Sequence, residues 1–303
     1  MRINYLLVSL FAITLAACSS EKETPNGFKF NVIKEGQTDS LAKPGQLLMV
    51  DFLLKDSKDS VWNDSFKSGQ PAPVMIQDSS MMANEKGLMQ MFRLLKPGDS
   101  VTTTLTIKEF FEQMTGGPVP PNFDSTLTLS YTFKIREITT VEKYQQQQQK
   151  IAEAKSAEQL SKDIEAIDKY LTEKGIQASK TESGLRYVIT KPGKGENGKS
   201  GQTATVNYAG YTLDGVYFDT SIKKLAEEKG VYNPQREPYE AYPVTIDQSS
   251  VIQGWHEALK VLNKGAKATV YIPSGLGYGP RRISPEIGEN QILVFDLEIT
   301  DLK

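Results

Sequence analysis

The sequence predicts an α+β protein in which two strand-rich domains are joined by a helix. Apolar and polar positions alternate through LLMVDFLL and VTTTLTIKEF in the first half, and through ATVNYAGYTL and KATVYIPS in the second, the period of half-buried strands. Between them Leu160, Ile164, Ile167 and Leu171 recur at steps of four, three and four, and Gly175 follows; this is one face of a helix and its stop signal. The 303 residues, with 39% hydrophobic and 24% charged side chains, suffice for two modest domains.

The N-terminus, MRINYLLVSLFAITLAACSS, has one arginine and then an apolar run too short for a comfortable membrane span. It reads as an export signal. The single cysteine, Cys18, directly follows Leu15-Ala16-Ala17, and LAAC resembles the bacterial lipobox. That resemblance implies removal of residues 1–17, lipidation of Cys18 and, with Ser19 behind it, sorting to the outer membrane, facing either the periplasm or the exterior. An ordinary small-residue cleavage site beside a coincidental cysteine is the alternative. Residues 18–27 contain Pro25 and Gly27 among polar residues and read as a flexible tether.

Residues 28–138 then form the expected first domain and 179–303 the second. The intervening 139–178, with five consecutive glutamines and the apolar stripe, reads as a helical spacer. The linker or the first domain is where two copies would pair as a homodimer. The net charge of -2 arises from interspersed acids and bases, and no basic stripe follows a phosphate backbone, which argues against nucleic acid. One histidine, His256, and one cysteine cannot supply an ordinary His/Cys zinc site, a disulfide or a Cys-His pair. No metal or cofactor is expected.

VIQGWHEAL, Val251 to Leu259, places a tryptophan at the mouth of a short helix. A helix N-terminus leaves backbone N-H groups without partners, so apolar residues there can form a dry pocket that retains a donor. Trp255 taken alone reads rather as the core of an amphipathic helix, with Leu259 and Leu262 on the same face. Its neighbours add a pattern: VNYAGYTLDGVYFDTS, YPVTI, VIQGWHEAL, LNKGAKATVYIPSGLGYG and LVFDLEI occur in that order from Val206 to Ile299. This ordered set resembles the FKBP-type peptidyl-prolyl cis-trans isomerases from about Thr181 to the C-terminus. The resemblance implies an antiparallel half-barrel sheet wrapped on one short helix.

It also implies a pocket walled by Tyr208, Phe218, Asp219, Tyr242, Val251, Ile252, Trp255, Tyr278, Ile287 and Phe295. Asp219, Ile252, Trp255 and Tyr278 would carry catalysis and the others would hold substrate. On this resemblance the Ile252 N-H and the Tyr278 hydroxyl anchor substrate carbonyls, Trp255 forms the floor, and Asp219, largely enclosed, orients Tyr208 or a polar substrate group. The implied activity is cis/trans rotation of X-Pro bonds in exported, proline-containing polypeptides. A holdase chaperone or envelope assembly factor with incidental isomerase activity is the competing reading.

Two segments depart from the family pattern. Ile287-Gly288-Glu289-Asn290 stands where the family has Ile-Pro-Pro-Asn, and 222–241 is a longer connection than small members carry, readable either as a roof over the pocket or as a surface insertion. Finally, the chain repeats itself. VDFLLKDSKDSVWNDS, Val50 to Ser65, lies without gaps on Val206 to Ser221, and Gly87 and Gly98 have the spacing of Gly254 and Gly265. The first domain is therefore expected to be a degenerate FKBP-like copy. Phe52 replaces Tyr208, Trp62 Phe218, Asn63 Asp219, Asn84 and Glu85 Val251 and Ile252, Leu88 Trp255, and Phe111 Tyr278. Glu85 is expected to resist burial there, while VPPN, Val119 to Asn122, keeps the family's loop.

Overall fold

The computed structural model describes residues 20–78, 80, 85–114, 116–121 and 123–303, except for the side chains of 113 and 114. The export signal, Cys18, Asn84 and Asn122 lie outside the described residues. The chain divides into two compact units, Met1–Gln148 and Gln149–Lys303.

In the first unit, β1 (Ser20–Glu23), β2 (Lys29–Lys34), β3 (Gln46–Asp56), β4 (Val61–Asp64), β5 (Ala72–Met75), β6 (Ser100–Thr106) and β7 (Thr128–Thr140) form one seven-stranded sheet. Its path is β1-β2-β6-β7-β3-β4, with β5 also on β3. The short helices are α1 (Ser65–Ser68), α2 (Gly87–Arg93) and α3 (Ile107–Met114). Ser20–Glu23 was expected within a flexible tether and is instead the edge strand β1, with Ser20 opposite Val32 and Glu23 opposite Lys29. Its turn is closed by two backbone bonds, Thr24 N-H to Phe28 O at 2.9 Å and Gly27 N-H to Thr24 O at 2.9 Å. Gly27 takes a φ of 85° there, a conformation that costs glycine little. Pro25 and Gly27 thus mark a hairpin.

The helix α4 (Val141–Glu173) follows β7 directly. In the second unit are β8 (Ser179–Lys180), β9 (Arg186–Lys191), β10 (Lys194–Asn197), β11 (Thr203–Thr212), β12 (Tyr217–Thr220), α5 (Lys223–Lys229), β13 (Tyr242–Thr245), α6 (Gln253–Val261), β14 (Asn263–Lys264), β15 (Lys267–Ile272) and β16 (Leu293–Leu302). Its seven-stranded sheet runs β12-β11-β16-β15-β9-β8, with β13 also on β11; β10 and β14 form a separate antiparallel pair. Tyr208, Trp255, Leu259, Val270, Phe295 and Leu297 belong to the core between this sheet and α6.

The two sheets have the same connectivity: β3, β4, β5, β6, β7, β2 and β1 stand where β11, β12, β13, β15, β16, β9 and β8 stand. The register agrees as well. Leu54 pairs with Asn63 and Leu53 with Asp64, as Gly210 pairs with Asp219 and Ala209 with Thr220. A register shift falls between Met49 and Val50 in one and between Thr205 and Val206 in the other. A shift by one residue would exchange core and solvent faces, so coincidence at both strand pairs confirms the ungapped repeat.

The α4 stripe is more than a solvated spacer. From Gln149 onward the helix belongs to the second unit, where Ile167 and Leu171 pack with Tyr271, Ile292 and Val294. Asp168 takes a two-pronged hydrogen bond from Arg186, at 2.8 and 2.9 Å. Among the described residues no helix is long and apolar enough to cross a membrane. Because Ile167 is 0% exposed, Ile167→Ala should lower the stability of the second unit by about 2–5 kcal/mol, the usual cost of truncating a buried aliphatic side chain. Urea unfolding followed by tryptophan fluorescence measures it, and a midpoint equal to wild type would assign α4 to solvent.

Candidate functional site

The second unit holds a cavity of about 1270 Å³ whose lining includes Tyr208, Phe218, Asp219, Tyr242, Val251, Ile252, Trp255, Tyr278, Ile287 and Phe295. These residues come from β11, β12, β13, the entry to α6, the turn after β15 and β16. The sequence-predicted set therefore converges on one site.

Its floor is aromatic. The Trp255 ring meets Tyr208 edge-on at 5.0 Å and Phe295 at 5.3 Å between centroids, and Phe218 meets Phe295 at 5.6 Å. Such edge-to-face contacts hold ring planes in fixed orientations. Gly210 makes the arrangement sterically possible: a Cβ there would come within 2.6 Å of Phe218 and 2.7 Å of Phe295. Trp255 is 5% exposed, so it serves both as core and as pocket floor.

The polar groups lie at one side of that floor. Tyr208 donates its hydroxyl proton to Asp219 Oδ2 at 2.6 Å, while Arg236 donates through Nη1 to Asp219 Oδ1 at 2.6 Å and through Nη2 to the Tyr208 oxygen. Burial, helped by the hydrogen bond to Asp219, raises the Tyr208 pKa well above that of a free phenol. For Arg236, burial opposes the charge but the Tyr208 and Asp219 oxygens outweigh it, and its pKa is raised. Both groups keep their protons at neutral pH. Asp219 was expected to be largely enclosed; its side chain is 42% exposed, because the carboxylate sits at the pocket wall with solvent on one side. Tyr242 is 45% exposed at the rim.

Ile252 immediately precedes α6, and its N-H has no acceptor among the described residues. It is the free donor expected at this helix entry. His256 has a structural part. Its Nδ1 accepts from the Asp247 N-H at 3.0 Å, so Nε2 carries the proton and donates to Ser249 O at 3.1 Å, fixing the turn that leads to Val251. Tyr278 is half-buried, and burial, then the nearby Asp219 charge, raise its pKa.

Both departures from the family pattern resolve into structure. The loop without the two prolines is held by hydrogen bonds, Ile283 N-H to Ile287 O at 3.0 Å and Asn290 N-H to Gly279 O at 2.8 Å, and Ile287 is buried. The 222–241 connection lines the cavity through Tyr232, Asn233, Arg236, Pro238 and Glu240. It carries its own supports: Tyr232 and Tyr239 stack at 5.7 Å, the Asn233 side chain caps Gln235 N-H at 2.9 Å, and Lys223 pairs with Glu237 at 2.7 Å. Arg236 was missed by sequence reasoning. Its only signal was a lone arginine between Asn233-Pro234 and a tyrosine, remote along the chain from Asp219.

In the first unit the corresponding positions are filled differently. Leu54 stands where Gly210 stands and is 6% exposed. Trp62 packs against Phe110 at 6.1 Å and Phe123 at 5.9 Å, and Phe111 meets Phe123 at 5.0 Å. The strand reading of VTTTLTIKEF ends at Thr106, where a capping box starts α3: the Thr106 N-H donates to Glu109 Oε2 at 2.7 Å and the Glu109 N-H to Thr106 Oγ1 at 3.2 Å. Glu85, expected to resist burial, has a side chain only 7% exposed. Arg93 explains this, donating from Nε and Nη2 at 2.6 Å each.

Comparison with known proteins follows the same division. Residues 194–300 match the family model described as FKBP-type peptidyl-prolyl cis-trans isomerase. The second unit thus contains an FKBP-type domain. Among relatives, the chain is 40% identical over 138 residues to the FKBP-type peptidyl-prolyl cis-trans isomerase FkpA of Buchnera aphidicola from Schizaphis graminum, covering 45% of this chain and 47% of that one. It is 36% identical over 151 residues to FkpA of Escherichia coli K12, 50% and 49% of the two chains. The outer membrane protein MIP of Legionella longbeachae is 34% identical over 121 residues, 40% and 46% of the two chains. The chain spans about half the length of these relatives. The crystal structure of FkpA from Escherichia coli covers 51% of this chain and 64% of that one at 35% identity, with a TM-score of 0.37.

Gly210→Ala should displace the Phe218 and Phe295 rings and cost about 1–3 kcal/mol, the range for overpacking a filled core. Thermal unfolding and near-ultraviolet circular dichroism read the two effects, and unchanged aromatic dichroism would show that the rings do not depend on this glycine.

Proposed function

We propose that the second unit is a peptidyl-prolyl cis-trans isomerase acting on proline-containing segments of exported polypeptides. The observation that carries this reading is the aromatic floor of Tyr208, Trp255 and Phe295 beside the Ile252 N-H, which has no acceptor among the described residues. Rotation about an X-Pro bond breaks no covalent bond but must overcome a barrier of ~18–20 kcal/mol, because amide resonance is lost. Uncatalysed it takes on the order of tens to hundreds of seconds. Water favours the charge-separated resonance form, so a pocket that takes the proline ring onto Trp255 and strips water from its amide lowers the barrier. The Ile252 N-H and the Tyr278 hydroxyl anchor substrate carbonyls on either side. Asp219, held by Arg236, keeps the Tyr208 hydroxyl oriented. Nothing in this reaction calls for a metal or cofactor.

Asp219→Val and Trp255→Ala should each reduce isomerisation of X-Pro peptides at least about tenfold, a change of roughly 1.4 kcal/mol in transition-state stabilisation. A protease-coupled or refolding assay measures it, with circular dichroism to confirm folding. Wild-type rates in both folded variants would end the isomerase reading.

A holdase role is the second reading. It is favoured by the exposure of Tyr232, Tyr242 and Ile283 around the cavity, apolar surface suited to an extended chain. The first unit, with Leu54 in the pocket position and Glu85 committed to Arg93, is on this reading a copy without isomerase activity, retained for client binding or self-association.

The proposed location is the outer membrane, through lipidated Cys18, on its periplasmic or outer face. Cys18→Ala should move the protein from the membrane fraction to the soluble fraction or block its processing. Membrane retention of the processed variant, seen by fractionation and immunoblotting, would exclude this anchor.

A further inference from the structure

The turn that carries Tyr278 is held from outside the pocket. After β15 the chain makes a 3-10 turn, Ser274–Leu276, and continues through Gly277, Tyr278 and Gly279. Ser274 is its fixed point. The Ser274 carbonyl accepts from Gly277 N-H and from Gly279 N-H, each at 2.9 Å, so it brackets Tyr278 on both sides. The other end of Ser274 is bound to α4: its N-H donates to Asp163 Oδ2 at 2.7 Å and its hydroxyl to the same oxygen at 2.6 Å. The second oxygen, Oδ1, accepts from Gln159 at 2.8 Å. Asp163 is 3% exposed and Ser274 0%. A carboxylate is costly to bury unless its oxygens are bonded, and here both are. Charge-assisted bonds of this kind are among the stronger ones a fold can use to fix a backbone.

We propose that Asp163, on the helix read from sequence as a spacer, is a positioning residue of the isomerase site, fixing through Ser274 the turn that presents the Tyr278 hydroxyl to substrate. The helix then contributes to catalysis through Asp163, without touching substrate. This rests on the isomerase reading of the pocket, and the test separates the two. The neighbouring ion pair of Asp168 with Arg186 holds the same helix at a different place and provides the control.

The experiment uses the full chain with Asp163→Ala, Asp163→Asn, Ser274→Ala and Asp168→Ala. Amide hydrogen exchange of the Ser274–Gly279 stretch is measured alongside kcat and KM on an X-Pro peptide. Asp163→Ala should speed exchange in that stretch and lower kcat/KM by about tenfold or more, the scale of losing charge-assisted buried hydrogen bonds. Asp163→Asn keeps an acceptor oxygen toward Ser274 and can offer its amide N-H to the Gln159 side-chain oxygen after that amide turns over, so it should restore most of both. Ser274→Ala loses the hydroxyl and keeps the backbone bond, and should fall between. Asp168→Ala should leave exchange at Ser274–Gly279 and kcat/KM as in wild type. If Asp163→Ala does not fold, a loss in Ser274→Ala together with near-wild-type Asp163→Asn supports the proposal, and wild-type exchange in Ser274→Ala overturns it. Wild-type exchange and kcat/KM in folded Asp163→Ala also overturn it. If the wild-type chain fails to isomerise the peptide, the isomerase reading falls, while the exchange data still decide whether Asp163 fixes the turn.

Discussion

The aromatic floor of the pocket depends on position 210 having no side chain. β11 runs directly under the site, and any Cβ at Gly210 would occupy the space that the edges of Phe218 and Phe295 now fill. Phe295 in turn meets Trp255 edge-on at 5.3 Å, and Trp255 meets Tyr208 edge-on at 5.0 Å. The first unit supplies the contrast within one chain. Its strands have the same order and register, but Leu54 occupies the equivalent place and Trp62 packs against rings of its own domain. Two copies of one backbone thus differ in whether a strand glycine leaves room above the sheet.

Much of this was legible in the sequence because it is encoded over short stretches. The pocket residues lie in contiguous motifs, and strand periodicity fixes which face each presents. VDFLLKDSKDSVWNDS could be aligned with its counterpart because a strand pair tolerates no slip without turning its core outward. Leu160, Ile164, Ile167 and Leu171 announced a helix with a buried face.

What stayed hidden depended on long-range pairing. Periodicity shows that a helix has an apolar stripe but not which surface receives it, so α4 read as a spacer although Ile167 and Leu171 form a second buried cluster with Tyr271, Ile292 and Val294. Arg236 reaches Asp219 only because the 222–241 segment folds back, and no local pattern records that return. Ser20–Glu23 is polar on every side chain and has no alternation to reveal a strand; its structure comes from backbone pairing with β2. The Thr106 to Glu109 capping box was readable, but the apolar alternation of the preceding strand overlapped its start.

The 222–241 wall is largely built from its own contacts: a tyrosine stack, an asparagine cap and the Lys223–Glu237 pair. Ordering a loop at the moment of binding would subtract its conformational entropy from the affinity. Here that entropy is already lost when the unit folds, and the guanidinium of Arg236 waits in place. The wall is preorganised, so a chain entering the cavity meets a finished surface and needs to immobilise only itself.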